Sequence, residues 1–136
     1  VLGTELIAYL TSSGFSVSPV PNFIPTDTPD NKLPALYVMG SGGWAPHEYV
    51  PTERPTFQVI IKGKVFKTNT TSIAATEAEA KRLIQFLHRK ANFVVGTSAV
   101  ISCLAMQSNP IYLGQDEQSR PMFSTNFTFY VKEAIQ

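Results

Sequence analysis

Residues 122–131, MFSTNFTFYV, constrain the fold more than any other stretch. Side chains alternate along a strand, so Phe123, Thr125, Phe127, Phe129 and Val131 share one face. Met122, Ser124, Asn126, Thr128 and Tyr130 share the other. A strand apolar on one side and polar on the other belongs in an antiparallel sheet covered on one face. The cover is legible upstream. Ala80, Leu83, Ile84, Leu87 and Ala91 recur at helical spacing and predict an apolar stripe on a helix over 72–91. Thr76 and Glu79 have capping-box spacing, and Ser72 offers an earlier start. Lys81, Arg82, Arg89 and Lys90 fall on or beside its polar face, the basic residues near the C-terminus suiting the helix dipole.

The remaining elements follow from similar patterns. TELIAYLTSS, 4–13, reads as a short helix with Thr4 as N-cap and Gly14 just past its end. FSVSPV, 15–20, reads as a short strand, and the five prolines of 19–34 predict an irregular, extended crossing. ALYVMG, 35–40, is a strand closed by GSGG. FQVIIKGKVF, 57–66, sets Phe57, Val59 and Ile61 on one side, with a turn or bulge at Lys62-Gly63-Lys64. AVISCLAM, 99–106, is a nearly continuous apolar strand. Helix, strands, helix, strands without dense βαβ alternation predicts an α+β fold. The expected form is a largely antiparallel or mixed β-sheet with two helices packed on one face, in a single domain over 1–136.

Charge is sparse and unevenly placed. Asp, Glu, Lys and Arg make up 15% of the chain, against roughly 25% in an average soluble domain. Residues 33–47 and 91–115 contain none of them. One domain of this size cannot bury both stretches in its own core, and interface cores are depleted in charge. The chain is therefore a candidate for self-assembly into a homo-oligomer. A net charge of +1 gives no overall footprint for nucleic acid or an anionic membrane. No apolar run reaches the length of a membrane-crossing helix, and no charged leader precedes an apolar stretch, so no membrane partner is expected.

Reaction chemistry finds little support. Cys103 lies inside an apolar strand, where a catalytic thiolate lacks the basic, open setting it needs. His47 and His88 are the only histidines, far apart in sequence, with no acidic cluster or metal-ligand spacing around either. GSGG lacks the Lys-Ser/Thr of a phosphate loop. No catalytic residue, metal site or cofactor is expected. Lys62, Lys64 and Lys67 form the one basic cluster outside the helix, readable as a solvated hairpin tip or as phosphate contacts. Asp116 and Glu117, if on a strand, point to opposite faces and cannot share a proton. With Arg120 they suit a polar rim beside a subunit interface made by Ser124, Asn126, Thr128 and Tyr130.

The combination of RPTFQVIIKG, an Ala-rich helix with Ala74, Ala78 and Leu83, and NPIYLGQDEQSRPMFSTNFTFYV resembles the tail terminator proteins of long-tailed bacteriophages, also called tail completion or minor capsid proteins. The pattern from Leu113 to Phe127 is its most specific part, and the resemblance runs from about Leu33 onward. Gln118-Ser119 stands where the pattern expects a turn glycine. The resemblance implies a non-enzymatic virion protein of the phage tail, assembled in the host cytoplasm into a ring, usually a hexamer. Such a ring caps the tail tube protein at its proper length and offers a surface to the head connector. It also implies a lumen that passes genomic DNA, with Lys62, Lys64 and Lys67 as candidate transient contacts. The alternatives are a head–tail connector or tube subunit, and a small enzyme or ligand-binding domain using the 110–120 loop with Cys103 or His47.

Overall fold

The computed structural model describes residues 1–25, 32–45, 49 and 51–132. Among these residues two helices, α1 (Gly3–Ser12) and α2 (Ser72–Leu87), accompany seven strands. These are β1 (Ala35–Gly40), β2 (Thr52–Glu53), β3 (Thr56–Lys62), β4 (Lys90–Val95), β5 (Ser98–Ala105), β6 (Ile111–Gln115) and β7 (Pro121–Lys132). All strands join one sheet in the order β1-β3-β7-β5-β4, and β2 and β6 also pair with β7. Every strand pairing is antiparallel. The α+β expectation therefore holds, with β7 as the central strand. No helix among the described residues is long and apolar enough to cross a membrane.

Alternation in β7 sorts its side chains as the sequence predicts. Phe123, Thr125, Phe127, Phe129 and Val131 are buried on the helix-bearing face. There they meet Leu36 and Val38 of β1, Phe57, Val59 and Ile61 of β3, and Val100 and Cys103 of β5. Leu6, Ile7 and Leu10 of α1 and Ala80, Leu83, Ile84 and Leu87 of α2 close the same core. Phe57 and Phe129 meet edge to face, ring centres 5.7 Å apart. A second, smaller cluster lies on the outer face. Leu33, Ala35, Tyr37 and Ile60 pack there with Ile24, Met39 and Met122. Parts of the Pro-rich crossing thus cover the β1–β3 half of the outer face.

Several boundaries differ from the sequence reading, each for a local reason. α1 starts at Gly3, not after Thr4, because the Glu5 carboxylate accepts the Leu2 N–H (3.0 Å). Gly14 does take the left-handed conformation past the helix end. FSVSPV does not form a strand. Val17 makes a single parallel bridge to Leu36, and Pro19 and Pro21 have no N–H with which to extend a ladder. Thr76 is buried inside α2 and donates back to the Ser72 carbonyl, so the Thr76–Glu79 spacing caps nothing. α2 stops at Leu87 because Arg89 turns left-handed (φ 66°). Ala91 consequently leaves the helical stripe for β4. β3 stops at Lys62, and one more backbone bond to β7 follows, from the Gly63 N–H to the Pro121 carbonyl. A Cβ at Gly63 would collide with the Thr76 hydroxyl, so this crossing of α2 requires glycine.

Candidate assembly surface

The two polar groups singled out in the sequence meet at one end of the sheet. The turn between β6 and β7 is built around Asp116. Its Oδ1 accepts the N–H groups of Gln118 and Arg120, both at 2.9 Å. Its own N–H donates to the Arg120 carbonyl (3.0 Å), and Ser119 N–H donates to the Asp116 carbonyl (3.0 Å). Ser119 is left-handed (φ 61°), the conformation for which glycine is favoured, at the position where the family pattern expects one. The lysine segment runs alongside. Phe66 N–H donates to the Ser119 carbonyl (2.8 Å) and Gly63 N–H to that of Pro121 (2.9 Å).

The three lysines do not share one setting. Lys62 is buried, 3.0 Å from Asp116 Oδ2. Its ammonium also donates to the Pro25 carbonyl (3.3 Å) and lies over the Tyr37 ring. It is not part of a solvated tip, because the Pro-rich crossing covers its side of the sheet. Lys64 is half-buried and Lys67 exposed. Burial pushes the Asp116 carboxyl up, but the Arg120 N–H, Lys62 and Gln118 N–H outweigh that and hold it below the usual aspartate range. Arg120 is buried and Glu117 exposed. Asp116 therefore acts inside the subunit, tying turn, β3 and crossing together, while Glu117 faces outward.

The polar face of β7 points away from the helices. Ser124 is buried and accepts from Gln58 Nε2 (2.9 Å) and Asn126 Nδ2 (3.4 Å). Asn126 N–H donates to Gln107 Oε1 (3.1 Å). Thr128 and Tyr130 are half-buried, opposite Leu104 and Ser102 of β5. Individual residues beside this face escaped the sequence reading. Leu104, Ile111 and Leu113 are exposed large apolar side chains. The signal that could have found them is the charge-free run 91–115, in which all three lie.

No reaction centre assembles from the expected candidates among the described residues. Cys103 is fully buried on the helix-bearing face, and burial pushes its thiol up to about 12. His88 Nδ1 accepts the Ala105 N–H (3.0 Å), and His47 lies outside the described residues. A groove of about 440 Å³ between α2 and residues 105–108 is lined by Lys81, Gln85, His88 and Met106. Lys81 is spent there on the Ser108 carbonyl and Asn109 Oδ1, which ties α2 to the β5–β6 connection. No group of three potential metal ligands occurs among the described residues. The folded protein should accordingly leave Cys103 unmodified by a thiol reagent under native conditions and react in denaturant. Fast stoichiometric labelling of the native protein would contradict a buried, structural cysteine.

No curated protein and no solved structure matches the chain. A family model described as bacteriophage tail terminator protein matches residues 9–133, nearly the whole chain. On that coverage, carried on an antiparallel sheet with helices on one face, the chain belongs to the bacteriophage tail terminator family.

Proposed function

We propose that this protein, a structural component of the phage tail, forms a ring that caps the tail tube, ends its polymerisation and offers the head connector a surface. The family match over residues 9–133 carries this reading. The expected ring is a hexamer of single-domain subunits, assembled in the host cytoplasm, whose work is binding alone. Glu117, Asn126, Thr128 and Tyr130 are the accessible members of the joint at the subunit boundary. Asp116, Arg120 and Ser124, which are more enclosed, hold that joint in shape. Size-exclusion chromatography with light scattering tests the ring. A discrete assembly of several subunits is the expected result, and a monomer at all concentrations, alone and with tube protein, would refute it.

The lumen of such a ring passes DNA, and Lys64 and Lys67, the two lysines of the cluster with exposed area, are the proposed contacts. Lys62 is committed to Asp116. Lys64→Gln with Lys67→Gln should leave assembly intact and reduce genome retention, read as DNA-filled particles per tail. Unchanged retention would leave both lysines as a solvated tip.

A further inference from the structure

One side of the sheet is occupied. Along β1, Ser18 and Asn22 N–H donate to the Leu36 and Val38 carbonyls (both 2.9 Å), and Leu36 N–H donates to that of Ser16 (2.8 Å). Just beyond β2, Trp44 N–H donates to the Arg54 carbonyl (3.0 Å). The other side is open. Among the described residues β4 pairs with β5 alone and β6 with β7 alone. An unpaired strand edge presents N–H and C=O groups that another backbone matches. β5 and β6 lie end to end on the same side of β7, against its C-terminal and N-terminal parts. β4 covers β5 only, so β6 lies at the foot of a step one strand deep.

The two open strands are not alike. β4 begins at Lys90, next to Arg89, and is kinked at the left-handed Asn92 (φ 55°). Charge and kinks blunt an edge against pairing. β6, IYLGQ, has no charged residue and no proline. Its Ile111, Tyr112 and Leu113 are 44–49% exposed. Leu113 is the extra residue of the bulge and has no partner on β7.

We infer that two copies of this chain pair through β6, antiparallel about a two-fold axis at Leu113. With one open side per sheet, copies cannot join their sheets head to tail, and a self-complementary contact of like edges remains. Without charge in β6, identical strands meet no like-charge repulsion. Charge complementarity beyond the strand favours the second copy as occupant. Glu117 and Arg89 are both exposed, and neither is in an ion pair with another described residue. Glu117 lies in the turn after β6, about 13 Å from Leu113 along the strand. Arg89 lies the other way, its N–H donating to the Cys103 carbonyl opposite Phe129, about 20 Å from Leu113. The two-fold carries Glu117 of each copy toward Arg89 of the other and leaves about 7 Å along the strand, which two long side chains span. This contact is separate from the ring. It closes at two copies and takes up Glu117, so it belongs to the free protein below ring-forming concentrations.

Cross-linking tests the axis. Leu113→Cys, kept dilute and treated with a short bis-maleimide, should link to itself as a dimer, since native Cys103 is buried. Val94→Cys, on the more exposed Val94 of β4, should link far less. Glu117→Arg and Arg89→Glu should each raise the dimer dissociation constant about fivefold or more at low salt, read by analytical ultracentrifugation. An equimolar mixture of these two variants should regain the lost affinity, because both crossing pairs are then opposite in charge. Leu113→Cys that stays unlinked, or links no better than Val94→Cys, would overturn the pairing. So would a mixture no tighter than its components. A free protein that stays monomeric, its β6 edge filled only by a strand of another protein, would overturn the second copy as occupant.

Discussion

Leu83→Ala should lower the stability of the subunit by about 2–5 kcal/mol. Leu83 is fully buried on the inner stripe of α2. It belongs to the same core as Phe127 and Phe129 of the central strand. Removing its side chain takes away transfer free energy and leaves a cavity between a helix and the middle of the sheet. Neither can move far, because β7 is held by β3 on one side and by β5 and β6 on the other. Partial collapse alone is available, which favours the upper part of that range. Urea unfolding followed by circular dichroism measures the loss. An unchanged midpoint would mean that α2 does not carry the core.

Asp116→Ala should have the second large effect, for an electrostatic reason. It strands the Lys62 ammonium, which is 3% exposed, and removes the acceptor for two turn N–H groups. Breaking a buried pair from one side costs about 3–5 kcal/mol. The lower end applies here, because the Asp116 side chain keeps 16% exposure and Lys62 retains the Pro25 carbonyl. Removing both charges, as Lys62→Met with Asp116→Ala, should restore part of the loss. If the double variant is no more stable than Asp116→Ala, Lys62 was not the stranded charge. The pH dependence has a definite sign. The Asp116 carboxyl is lowered in the folded state. Its contribution is therefore fully present above the ordinary aspartate value of about 4 and is lost as pH falls through the lower, folded value. The stability gap between wild type and Asp116→Ala should narrow in that acid window and stay constant from pH 5 to 7.

The core was legible because it rests on local periodicity. β7 follows its expected alternation from end to end and α2 its stripe from Ala80 to Leu87, and together they dictate which face of the sheet is covered. β4 was hidden by a coincidence of register. Ala91 stands four residues after Leu87, so the helical stripe appears to continue, and the left-handed Arg89 that ends it is no glycine and carries no compositional mark. β6 was hidden because among the described residues it pairs with β7 alone, and it bulges between Tyr112 and Gly114. Ile111, Tyr112 and Leu113 are all exposed, so no alternation of apolar and polar residues announces a strand. Lys62 failed for a long-range reason. Alternation correctly sends it to the outer face, but that face is covered by a crossing that is distant in sequence. The acidic turn suggests a polar rim beside a subunit interface; what its sequence does not announce is that Asp116 also spends its oxygens on its own turn and on Lys62. The charge-free run 91–115 was a sound pointer to exposed apolar surface, though composition alone could not say which of its residues turn outward.

Tail length tests the central claim most directly. Purified tube subunits polymerised with increasing amounts of this protein should give tubes that stop growing, with one added ring at a single end in electron micrographs. Tubes that reach the same lengths with and without the protein, or that incorporate it along their sides, would contradict a terminator acting as a terminal ring.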